Sequence, residues 1–268
     1  MAYRKKAMPS VRLGALLLVL AGCSHSVDGP QPVLTAVSPN SACAEGKSTL
    51  MSVLGSGLVP IEEGVLGPGK LDLPVLTLQR AMDLDGVATG EEVPVPSDPA
   101  ASDEQWVNAM SLAVTLCPPG VCSAQTPPKP DFPSLPTGLY GIAVHNRTGA
   151  AAALPAALVL VPAPVFATLA PSSMSRAAVT EVVLTGDFFL RLNNKLPTVT
   201  VGDKSLTPGS LEDCRKLPAP AGVTLEACKR VLMTLPGNTF APGTLAITVT
   251  GPTPVDCGSA TQILTVTP

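Results

Sequence analysis

Pro32-Val33-Leu34-Thr35-Ala36-Val37-Ser38-Pro39 recurs without a gap, 132 residues further on, as Pro164-Val165-Phe166-Ala167-Thr168-Leu169-Ala170-Pro171. Each copy is a short aliphatic and β-branched run closed at both ends by proline, the pattern of a strand bounded by turns. Three further blocks follow in the same order. Thr49–Gly55 falls on Thr180–Gly186 at an offset of 131, Leu112–Leu116 on Val231–Leu235 at 119, and Gly138–Val144 on Gly243–Val249 at 105. The falling offset gives the first copy 12 extra residues before the third block and 14 after it. A duplicated unit of short strands predicts an all-β chain of two tandem sandwiches, residues 32–162 and 163–268. Ala150–Val161 aligns with Ala260–Thr267 and reads as a last strand, and Pro162-Ala163-Pro164 as a short, semi-rigid junction.

Composition agrees with that reading. The 268 residues suit two domains. Hydrophobic residues make up 46% and charged residues only 14%, which excludes intrinsic disorder, while 30 Pro and 23 Gly exclude a helical bundle. With 3% aromatics the cores must be built from many small Leu, Val, Ile and Ala burials. A mean hydropathy of +0.36 raises the question of membrane spans. The notable apolar runs, Leu13–Gly22 and Ala150–Val161, fall short of the roughly 20 residues that a spanning helix needs.

The first of those runs follows Arg4, Lys5, Lys6 and Arg12, so it reads as the apolar core of a secretory signal. It ends in Leu20-Ala21-Gly22-Cys23, which resembles a bacterial lipobox. The resemblance implies cleavage after residue 22, a diacylglycerol (and hence palmitate-type) modification on Cys23, and a lipidated tether over 23–31. Two or three acyl chains anchor a protein stably where one does not. Ser24, where an Asp would resemble an inner-membrane retention signal, points to the outer membrane. Losing residues 1–22 removes four bases and no acid, which takes the charge from -3 to -7. Without clustered Lys and Arg, nucleic acid is not an expected partner.

The block order resembles the IPT/TIG family of immunoglobulin-like domains. The second copy carries Leu184-Thr185-Gly186-Asp187-Phe188, a strand ending in Gly, polar residue and Phe, and Thr198-Val199-Thr200-Val201-Gly202. The first copy has Gly55-Ser56-Gly57-Leu58 instead, and neither copy keeps the family's Gly-Gly-Thr turn. The resemblance covers most of residues 32–268 and implies an interaction or spacer role. Periodicity alone leaves fibronectin-like and other Greek-key sandwiches open.

Beside Cys23 stand six cysteines in an exported, oxidising setting, with 15 possible pairings. Cys117 and Cys122 flank a tight turn, and Cys214 and Cys228 bracket a loop whose closure contributes about 3 kcal/mol. Cys43 lies in the first interstrand turn of copy one and Cys257 in the last of copy two. In a seven-strand sandwich both face the junction, so an interdomain Cys43–Cys257 bridge is expected. A lone Cys-x4-Cys without a second pair does not make a zinc site.

His25 and His145 read as solvent-facing polar groups rather than catalytic bases. Gly64–Lys70 has the spacing of a phosphate loop, yet Leu71 supplies no hydroxyl for Mg²⁺ and Pro74 blocks the helix, so it reads as a turn. Seven acids between Asp83 and Glu104 read as a solvated acidic loop in an insertion of copy one; a calcium site on Asp83 and Asp85 lacks the remaining ligand series. Trp106 and Tyr140 are expected in the cores, with Trp106 as the possible ligand contact. No nucleophile–base pair, cofactor loop or metal cluster appears. The expectation is therefore a non-enzymatic, lipid-anchored envelope protein that needs no cofactor and acts as spacer or protein-interaction module. Its alternatives are a surface glycan-binding lipoprotein and an accessory subunit of a secreted hydrolase system.

Overall fold

The structure is a computed structural model and describes residues 30–45, 48–63, 70–95, 104–116, 135–146, 150–259 and 261–268. Its elements are all strands. In the first half, Val33–Ser38, Thr49–Ser56, Ser111–Leu116 and Glu104–Asn108 lie side by side in that order. Facing them is a sheet ordered Ser41–Cys43, Ala151–Val161, Gly138–His145, Val75–Met82 and Ala88–Pro94.

The second half repeats this plan strand for strand. Val165–Ala170, Thr180–Leu192, Leu225–Leu235 and Ser210–Glu212 form one sheet. The other is ordered Ser173–Ser175, Gln262–Thr267, Gly243–Thr250, Thr198–Val201 and Lys204–Leu206. In each half the chain crosses between sheets at a cis proline, Pro39 or Pro171, and the next short strand runs parallel to the last one. That arrangement is an immunoglobulin-like sandwich, made twice.

Alternation explains the cores. Ser111–Leu116 buries Leu112, Val114 and Leu116 while the intervening side chains stay partly exposed, the period of two expected of a half-buried strand. Met51, Val53, Leu76 and Leu78 complete one layer of the first core. Tyr140 sits in it fully buried, its hydroxyl donating to the Pro136 carbonyl 2.5 Å away. In the second core Phe166 and Phe189 meet edge to face, 6.1 Å apart.

The repeated glycine of the third strand from each start has a steric reason. A Cβ on Gly55 would lie 2.1 Å from the Val33 carbonyl oxygen, and one on Gly186 would lie 1.9 Å from that of Val165. In both halves the first strand carries an irregularity at this point, Leu34/Ala36 or Phe166/Thr168, which brings its backbone close.

Three expectations change. The strand expected to end at Gly186 continues to Leu192, because an irregularity between Thr185 and Phe189 re-aims it without ending it. Phe188 there takes a φ of 56°, the left-handed conformation that Gly57 adopts at the matching place in copy one. The acidic segment is not simply a loop: Ala88–Pro94 is an edge strand paired with Val75–Met82, and it carries Glu91 and Glu92. Trp106 is not a core residue; it lies 42% exposed on the edge strand Glu104–Asn108.

Candidate functional site

Ala151–Val161 is the element from which the junction is built. Its first half alternates, and its last five residues are all buried. Leu158 and Leu160 face their own core, whereas Val159 and Val161 belong to a third core shared with the second sandwich. A run buried on both faces reads as continuously apolar, as Ala157–Val161 does. From the first sandwich Leu84 and Leu139 join this shared core; the second contributes Leu190, Leu192, Leu225 and Val255. Leu190 and Leu192 stand on the continuation of the strand past Gly186, so the extra length of that strand makes the platform.

Polar and covalent contacts close the same seam. Cys43 and Cys257 are joined by a disulfide, with 5.4 Å between their Cα atoms, and both are buried. Arg215 donates to Asp85 Oδ1 at 2.9 Å and to the Leu84 carbonyl at 3.2 Å, and its guanidinium lies 5.5 Å from the Phe188 ring centroid. Being half-exposed, this pair is worth no more than about 1 kcal/mol. Cys214 and Cys228 are bonded beneath it and hold the segment that carries Arg215 against Leu225–Leu235. Asp83 shapes the turn: its Oδ1 accepts from the Asp85 and Val87 amides. Among the described residues no group of three or more His, Cys, Asp or Glu is placed to hold a metal.

The opposite end of the first sandwich is where the chain enters. Asn146, buried, donates through Nδ2 to the Pro30 carbonyl at 2.9 Å and to that of Gly57 at 3.5 Å. A Cβ on Gly57 would lie 2.7 Å from the Gln31 carbonyl oxygen, so the entering chain is pressed onto it. The turn after Trp106 is tied to the same place: the amides of Gly55 and Leu58 donate to the Met110 and Ala109 carbonyls. Trp106 donates its Nε1–H to the Leu58 carbonyl at 2.7 Å. His145 is exposed at this end.

Cys23, Cys117, Cys122 and His25 lie outside the described residues, as do Gly64–Gly69, Asp98 and Asp103. The strands on either side of that glycine-rich segment, Ile61–Glu63 and Lys70–Asp72, pair antiparallel. Sequence reading missed Arg215, Asp85 and Asn146 as fastening residues. Asn146 beside the end of the Gly138–Val144 block was the only local hint, since partners 130 and 116 positions away leave no periodic trace.

No family model matches the chain, and no curated protein does. Among solved structures it is similar to the plexin A4 extracellular region, at 15% identity and a TM-score of 0.35 over 88% of this chain. It spans 18% of that plexin chain. Similarity extends to the Bacteroides ovatus mixed-linkage glucan utilization protein SGBP-B in complex with a mixed-linkage heptasaccharide, at 11% identity, TM-score 0.27, covering 88% of this chain and 46% of that one. Murine CEACAM1b gives 12% identity and a TM-score of 0.24, with 88% and 100% covered. What the strand order establishes by itself is the class: the chain is an all-β protein with tandem immunoglobulin-like sandwiches.

Proposed function

We propose that this is a non-enzymatic, lipid-anchored envelope protein, held in the outer membrane through Cys23, in which two IPT/TIG-type sandwiches serve as a stiff spacer and protein-interaction module. The observation that carries the reading is the seam. A shared apolar core, a disulfide and the Arg215–Asp85 pair hold the sandwiches at one angle, as a spacer requires and as freely jointed domains would not provide. Loops on such a frame are where a partner is met.

The glycan-binding alternative rests on Trp106. Its ring is exposed, but its one polar atom is already bonded to Leu58; of its exposed neighbours Val107, Asn108, Ala109 and Met110 only Asn108 is polar, and the Oδ1 of Asn108 already accepts from the Met110 amide. Sugar recognition wants polar side chains around the stacking ring, so the spacer reading is favoured. The experiment is crosslinking in intact envelopes followed by identification of the captured protein, with the mass of the Cys23 peptide measured in the same preparation. An unmodified Cys23, or capture of polysaccharide with no protein, would overturn the proposal.

A further inference from the structure

The exposed large apolar side chains of the first sandwich are unevenly placed. Trp106, Val107 and Met110 are 42% to 67% exposed on the strand Glu104–Asn108 and the turn after it, at the end remote from the seam; Val33 and Leu54 lie toward that end on the same sheet and Val75 on the facing sheet. Leu50 and Val87 lie elsewhere. Monomeric proteins seldom gather exposed apolar groups in one place without a use for them.

The same end is where the tether leaves. Asn146 and Gly57 fix Pro30 and Gln31 beside the turn that carries Met110. Six residues lie between Cys23 and Pro30, seven Cα-to-Cα steps with a reach of at most about 25 Å. A lipid attached to Cys23 therefore keeps this end of the sandwich within about 25 Å of the bilayer. Trp106 suits that position: with Nε1–H bonded inward, the rest of the indole is hydrocarbon, and an indole of this kind settles at the headgroup level. Val107 and Met110 flank it. His145 is exposed there as well.

We infer that this end of the first sandwich rests on the membrane that carries the anchor, with Trp106, Val107 and Met110 dipping into the lipid interface. The tandem then stands off the bilayer with its second sandwich outermost. The inference rests on the lipid-anchor reading, and the two separate experimentally.

Trp106 is the sole tryptophan of the chain, so its fluorescence reports on this site alone. Full-length protein extracted from envelopes is reconstituted into phosphatidylethanolamine and phosphatidylglycerol vesicles, with or without dibrominated acyl chains, and the mass of its Cys23 peptide is taken in parallel. The expected result is a blue-shifted emission that is lost in proportion to bromolipid content. The Val107→Asp/Met110→Asp variant, still acylated, loses both the shift and the quenching. An unacylated Cys23 overturns the anchor and the docking together. Acylated protein whose emission ignores bromolipid overturns the docking and leaves the anchor standing. Emission that responds to added polysaccharide and not to bromolipid assigns the patch to glycan and also overturns it.

Discussion

Replacing Cys43 and Cys257 together by alanine tests whether the two sandwiches behave as one body. Alanine is the suitable replacement because both sulfurs are buried, and a serine hydroxyl there would lack water. The bridge joins positions 214 residues apart. Closing a loop of that length in the unfolded chain costs about 5 kcal/mol of chain entropy in the polymer model. That full value reaches the native state only if both sandwiches unfold in one step, because only then does the bridge constrain the whole span. If they unfold separately, the bridge merely restrains two folded bodies already joined by Pro162-Ala163-Pro164. The shared core draws residues from both halves, among them Val159, Val161, Leu190 and Leu192, so one step is expected. Differential scanning calorimetry should then show a single transition whose midpoint falls by about 10–20 °C in the variant, at roughly 2–4 °C per kcal/mol for a chain of this size. A midpoint lowered by less than about 4 °C, or the same two transitions before and after, refutes the reasoning.

Three other outcomes are expected. Burial pushes the Tyr140 hydroxyl up to about 12, against the partly opposing charge of Arg80. Because the folded value lies above the ordinary one near 10, its contribution is whole below pH 10 and disappears as pH rises through 12; it amounts to about 2–3 kcal/mol. Urea midpoints measured across that window should fall for the native chain and fall less for Tyr140→Phe, which also loses about 1 kcal/mol at neutral pH with its bond to Pro136. Gly186→Ala drives a methyl against the Val165 backbone and should cost about 3 kcal/mol by denaturant titration, whereas Gly222→Ala, in open space at a φ of +78°, should cost about 1 kcal/mol. Val159→Asp buries a carboxylate in the seam; hydrogen exchange should quicken at Leu190 and Leu225 while Leu112 and Val114 stay protected, and unchanged protection at the seam refutes the two-sided role of Val159.

How much of this was legible follows from what each feature depends on. The strand blocks were readable because burial on one face imposes a period of two, and because duplication printed the pattern twice. The sandwich plan followed from their order. Cys43 and Cys257 could be placed at the junction because strand count alone fixes the end of the sandwich at which each falls, although Cys43 closes the short strand Ser41–Cys43 where an interstrand turn was expected. The continuation to Leu192 was not readable: Gly186-Asp187-Phe188 has the composition of a strand end, and only the tertiary platform offered by Val159 and Val161 rewards extending past it. Trp106 was misplaced for a related reason. Its backbone partner Leu112 faces the core, but an edge strand leaves the large ring half uncovered. Asp85 was read by its charge as solvated, and it finds Arg215 across a distance in sequence that no pattern reports.

The bridge between Cys43 and Cys257 also decides where a mechanical load would travel. Tension applied between the entering chain at Pro30 and the C-terminal strand Gln262–Thr267 passes along Val33–Ser38 to Cys43, crosses the sulfur bond, and leaves through Cys257. Residues 44–256 lie in a covalently closed ring that this path bypasses. The short strand Ser41–Cys43, paired in parallel with Val159–Val161, is thus pulled in shear at its bonded end. A cell that tugs on this protein would stretch a brief segment at each terminus and leave most of both sandwiches unloaded.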